Sequence, residues 1–179
     1  MSKLRLLIIS GLLLVLGLVN FSIYSKERIK HEGEVIYLKL LPQDPRSLMQ
    51  GDYMSLRFQL AQEIDQTILH PLIITEEASF LQTGKKTPPL REGQRGTVFI
   101  VLDEKRIAHL ANNHSGSANM LKLRYRVRKN AIWLGTNAFF FTEGQAKQFE
   151  KAQYGEFRLD RRSGEAILTG LRGAQLEAL

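Results

Sequence analysis

The chain has 179 residues, with 25 Lys and Arg against 18 Asp and Glu, and no cysteine. That length holds one domain with a real core plus an appendage, and the missing cysteine excludes structural disulfides, thiol catalysis and cysteine-ligated zinc. The net charge of +7 is concentrated at one end: Lys3, Arg5, Lys26, Arg28 and Lys30 against Glu27 give residues 1–31 a charge of +4, leaving +3 for residues 32–179. A nucleic-acid partner needs a concentrated basic face on the folded part, so none is expected.

Leu6 to Val19 is almost wholly apolar, and Leu4 to Tyr24 supplies about the 20 residues that cross a bilayer as a helix. Ser10 can return its hydroxyl to the helix backbone, and Gly11 and Gly17 are tolerated in such helices. A cleaved secretory signal would be shorter and end in small residues, whereas Asn20-Phe21-Ser22-Ile23-Tyr24-Ser25-Lys26 has no such site. We read an uncleaved anchor over residues 1–31 with its basic flank, and a β-rich domain over 32–179. Tyr24 is placed at the interface, and the anchor makes membrane lipid a partner. Lys3 and Arg5 favour a cytoplasmic N-terminus with the domain translocated, although Lys26, Arg28 and Lys30 lie just beyond the other end.

Val35 to Leu41 reads as a strand. The segment that follows holds the densest cluster of special residues. Pro42 and Pro45 fix φ and extend Leu41 and Asp44, and Gly51-Asp52 is a turn pair. Tyr53, Ser55 and Arg57 then alternate with Met54, Leu56 and Phe58, the two-residue period of a strand with one buried face. Ala61 to Leu69 fits a short helix ended by His70-Pro71, and Leu72 to Leu81 fits either a strand or a helix. Gly84 to Pro89 is a stiff loop.

Gly96 to Leu102 is the clearest central strand, Asp103-Glu104-Lys105 a turn, and Arg106 to Ala111 a return strand or helical turn. Asn112 to Ser117 forms a loop. Leu121, Leu123, Tyr125 and Val127 alternate with Lys122, Arg124, Arg126 and Arg128, giving a strand with one buried and one cationic face. The cationic face reads as a solvated surface; anionic headgroups, polymer or an acidic partner are the functional alternative. Lys129-Asn130 turns the chain into a returning strand at Ala131–Gly135, and Phe139-Phe140-Phe141 ends the next. Thr142 with Gln145 forms the pattern of a capping box ahead of a helix to Tyr154, with Glu143 in its first turn and Gly155 as its stop. Glu156–Asp160 and Glu165–Leu171 make a last hairpin around Arg161–Gly164. The fold class is therefore α+β: a mostly antiparallel β domain with one or two short helices, behind a single N-terminal transmembrane helix.

His31, His70, His109 and His114 show no metal-ligand spacing, so neither metal nor other cofactor is expected. No nucleophile elbow and no Ser-x-x-Lys appears. The stretch from Asp44 to Phe58 resembles the signature of the GDYXXLXY family, bacterial membrane-anchored proteins: Gly51, Asp52, Tyr53 and Leu56 match, while Phe58 stands in place of the last Tyr. The runs Phe140–Gly144, Phe149–Ala152 and Gly155–Phe157 are similar to that family's second block. The resemblance implies an extracytoplasmic domain held on one helix in the inner membrane, often encoded with a polytopic membrane protein, and it supplies no catalytic residues. The expected role is an envelope accessory or binding module, with a polytopic membrane protein as partner. Its expected binding residues are Asp44, Arg46, Asp52, Tyr53, Arg57 and Glu143. The alternative is a membrane-tethered hydrolase using Ser47 or Ser55 with a lysine, or Asp44 with Asp52, on peptide or envelope polymer.

Overall fold

The computed structural model describes residues 3–42, 53–69, 92–111, 120–129 and 131–179. Helix α1, Lys3–Glu32, is one unbroken rod of 30 residues, about 45 Å at 1.5 Å per residue. It is long and apolar enough to cross a membrane, with mean hydropathy 2.5 over its best window. Its apolar side chains stand open along the rod, Phe21 at 72 % and Leu7 at 69 % exposure. Buried Ile29 seats the last turns on the domain. The rod stops at Gly33, whose N–H donates to the Ile29 carbonyl at 2.8 Å. A Cβ at Gly33 would lie 2.3 Å from that oxygen and 3.0 Å from the Arg158 Cβ, so a glycine is needed for the chain to turn this close to the sheet.

Among the described residues, nine strands follow in three sheets. Strands β1 (Glu34–Lys39), β8 (Tyr154–Leu159) and β9 (Ala166–Arg172) form one antiparallel sheet in the order β1-β8-β9. Strands β3 (Arg95–Leu102), β4 (Ala108–Leu110), β5 (Leu121–Arg128) and β6 (Ala131–Trp133) form a second, in the order β4-β3-β5-β6. A two-stranded ribbon pairs β2 (Tyr53–Ser55) with β7 (Ala138–Phe140). Helix α2 spans Gln59–Ile64 and widens into a π-helical turn over Asp65–Leu69, and α3 spans Ala146–Phe149. Antiparallel sheets, short helices and an apolar leading helix are the α+β architecture that the patterns of residues indicate.

The sheets are stitched together at named points. A parallel bridge joins Tyr37 to Ile107, and Leu40 bridges Phe58, tying β1 to the segment after β2. The Arg124 N–H donates to the Gly164 carbonyl at 2.7 Å, bringing the β8–β9 turn back to β5. One core results, in which Ile36, Leu38, Ile100, Leu123, Val127, Leu134, Phe157 and Leu159 are fully buried. In β5 the four apolar residues are buried; Lys122, Arg124 and Arg128 are exposed and Arg126 is half-buried, as the alternation requires.

Two expectations near the C-terminus do not hold. No capping box forms: the Gln145 N–H bonds to the Thr142 carbonyl at 3.1 Å, Gly144 takes φ +86°, and α3 starts only at Ala146 with no side-chain cap. The cause is aromatic packing, since Phe139 and Phe141 both close on Phe149, with ring centroids 5.1 and 5.3 Å away, and this folds the chain into a tight turn before a helix can begin. Gly155 is likewise not a helix stop. It lies inside β8, which is paired on both sides by β1 and β9, and that ladder overrides helical propensity.

Candidate functional site

The half-buried Tyr53 and the exposed Arg57 straddle the buried residues Met54, Leu56 and Phe58. Strand β2 meets β7 in the register Tyr53↔Phe140, Met54↔Phe139, Ser55↔Ala138. The rings of Tyr53 and Phe140 lie 5.7 Å apart at 40°. Phe140 is 74 % exposed, a large apolar ring left open at the edge of the ribbon. Two residues on, Thr142 opens the turn carrying the exposed Glu143. The ribbon therefore joins two segments almost ninety positions apart in the chain. Asp44, Arg46, Asp52 and Ser47 lie outside the described residues.

Arg57 belongs to a different cavity. It lines a cavity of about 350 Å3 with Lys39, Pro42, Ser55, Glu150 and Gln153. Its carbonyl accepts the Leu41 N–H at 2.9 Å, holding the end of β1 against the segment after β2. Among the described residues, neither Arg57 nor Glu143 has an ion-pair partner, so the two are not paired with each other; Tyr53 is joined to the Glu143 segment through its pairing with Phe140. The Ser55 hydroxyl, among the same residues, has no hydrogen-bonded base. His109 Nε2 stands 3.5 Å from Asp103 Oδ2 on the β3–β4 hairpin, and no group of three metal-ligating side chains occurs among the described residues.

Phe58 shows what the substituted motif position does. It is 2 % exposed, and its ring meets Phe157 edge-on with centroids 5.3 Å apart. An aromatic ring serves this core contact, and no hydroxyl is used.

A second groove, with a volume of about 830 Å3, is lined from β5, β7 and β9. Arg95, Arg124 and Arg126 line it together with Phe139, Phe140, Ile167, Trp133 and Lys26. Arg95 and Arg126 are direct cross-strand partners. Among the described residues, none of the ion pairs engages these three arginines. Lys26 comes from α1 and is ion-paired to Glu165 at the rim. The sequence pattern exposed the cationic face of β5, but the face opposite it and the approach of α1 depend on long-range pairing.

A charge network at the end of α1 ties the start of β1 to the β3–β4 and β8–β9 turns. Glu34 accepts from Arg161 Nε at 2.5 Å and from Arg106 Nη2 at 2.9 Å, and Arg106 Nε also donates to the Val35 carbonyl at 2.8 Å. The Arg161 hydrogen bond, outweighing partial burial and helped by the charge of Arg106, holds the Glu34 carboxyl below the usual carboxylate range. Asp160 is held low as well, chiefly by the Ser163 hydroxyl at 2.7 Å, with the charge of Arg28 contributing.

The family model described as GDYXXLXY protein matches residues 15–171, nearly the whole chain. No curated protein and no solved structure matches it.

Proposed function

The chain belongs to the GDYXXLXY family, and from that premise we propose that it is an envelope accessory module: α1 remains as a permanent anchor in the bacterial inner membrane, and the β domain lies outside the cytoplasm and binds a polytopic membrane protein. The observation that carries the reading is the β2–β7 ribbon. It sets the family-motif residue Tyr53 against the open ring of Phe140, beside the Glu143 turn. An exposed aromatic edge with polar neighbours is the composition of a protein-binding hot spot. The anchor reading draws on the length and exposure of α1, and on Lys3 and Arg5 at its start. The residues proposed to bind the partner are Tyr53, Arg57 and Glu143, and by the sequence motif alone Asp44, Arg46 and Asp52.

The test is a photo-crosslinking residue placed at position 53, or at position 143, in the full-length protein in native membranes. Capture of one polytopic membrane protein, weakened by Phe140→Ala, is the expected result. Capture of neighbouring lipid alone from both positions would remove the docking surface.

A further inference from the structure

We infer that the arginine groove between β5 and β7 holds the headgroup of an anionic phospholipid drawn from the bilayer that α1 enters. The inference rests on the anchor reading. Its starting point is distance along α1. The apolar run ends at Tyr24, and Lys26 lies two residues further, about 3 Å along the axis. Lys26 nevertheless borders the groove and pairs with Glu165 at its rim. The groove therefore opens at headgroup depth, not at the far end of the domain.

The lining has the chemistry of an anionic amphiphile. Arg95, Arg124 and Arg126 present guanidinium forks suited to a phosphate, and no carboxylate among the described residues neutralises them. Glu165, the one acid in the lining, is already engaged by Lys26. The same lining includes apolar residues, the exposed Phe140 among them, that can take the first part of an acyl chain. The direct opposition of Arg95 and Arg126 is unfavourable in an empty groove, and a bound phosphate between them relieves it. The volume, about 830 Å3, lies within the range of small-molecule sites. An acidic protein segment shares the charge but does not call for apolar lining at membrane depth.

Trp133 is the only tryptophan and borders the groove, so its fluorescence reports this site alone. The full-length chain is placed in phosphatidylcholine nanodiscs, its intact mass is verified, and chain-brominated phosphatidylglycerol or chain-brominated phosphatidylcholine is added as quencher. Phosphatidylglycerol is expected to quench Trp133 at mole fractions at least roughly tenfold lower, since each basic residue near an anionic surface contributes about a fivefold preference and more than one lines the groove. Arg95→Gln with Arg126→Gln should bring the two lipids to parity. Arg95→Lys with Arg126→Lys should keep part of the preference, since the charge stays and the fork is lost, and the distant pair Lys147→Gln with Lys151→Gln should keep all of it. Equal quenching by both lipids in the intact chain overturns the inference and leaves the anchor standing. Loss of the preference in the distant pair also overturns it, because bulk charge then explains the effect. Equal quenching together with a Trp133 response to an acidic peptide assigns the groove to a protein segment and overturns the lipid reading. A mature chain whose mass shows that its first two dozen residues have been removed overturns the anchor and this inference together.

Discussion

Arg95 and Arg126 face each other directly across β3 and β5, two cations at a position where neighbouring strands hold side chains closest. Like charges so placed cost a few tenths of a kcal/mol up to about 1 kcal/mol. Arg126→Gln should therefore raise the melting temperature of the detergent-solubilised protein by about 1–2 °C. The gain should shrink as salt screens the pair. An unchanged or lower melting temperature at low salt would show that the arginines are compensated.

Glu34 ties three parts of the chain together: the start of β1, the β3–β4 hairpin through Arg106, and the β8–β9 turn through Arg161. Its folded-state pKa lies below its ordinary value of 4.5. The stabilisation is therefore fully present above that ordinary value and is lost as the pH falls through the lower, folded value. Glu34→Gln should cost about 1 kcal/mol at neutral pH, the exposure of both arginine ends keeping the figure small. The variant should also flatten the acid limb of a stability-against-pH curve. Parallel acid limbs for the two proteins would assign the acid sensitivity elsewhere, to Asp160 for example.

Phe58 and Phe157 form the edge-on pair under the motif strand. Phe58→Ala should destabilise by about 3–5 kcal/mol, the cost of a large buried cavity. A Cβ at Gly155 would come within 3.0 Å of both rings, so Gly155→Ala should also destabilise. That cost should fall in the Phe58→Ala background, where one ring is gone. Chemical denaturation of the four proteins reads the coupling, and strict additivity would contradict the packing described.

Glu156 is buried at 7 % exposure and is held by Arg172 Nε at 2.5 Å and by the Thr169 hydroxyl at 3.2 Å. Removing one partner of such a pair leaves an uncompensated charge. Glu156→Ala should cost about 3 kcal/mol, whereas Arg57→Ala, at an exposed position, should stay within about 0.5 kcal/mol. The two together separate a residue that stabilises the domain from one proposed to bind: Arg57→Ala should weaken partner capture while leaving the melting temperature unchanged.

Local patterns carried most of the fold. The alternation in Leu121–Arg128 specified both the strand and its buried side, because a period of two leaves no other assignment once one face is apolar. The same logic held for Met54, Leu56 and Phe58. The reading was wrong where distant residues decide the outcome. Thr142 and Gln145 satisfy the capping-box spacing, but Phe149 draws Phe139 and Phe141 onto itself and sets the turn. Gly155 looks like a helix stop until β1 and β9 pair on either side of it. For the candidate site, the motif pointed to Tyr53, but its contact with Phe140 follows from a pairing across eighty-odd intervening residues. Arg95 carried no signal of its own; only the β3–β5 register brings it opposite Arg126.

The reading of the whole protein depends on α1 staying attached. The most direct measurement is the intact mass of the mature chain in an alkaline-washed membrane fraction from cells. The account predicts the full chain at 20.4 kDa in the membrane pellet. A shorter chain beginning near Lys26, recovered in the soluble fraction, would contradict it.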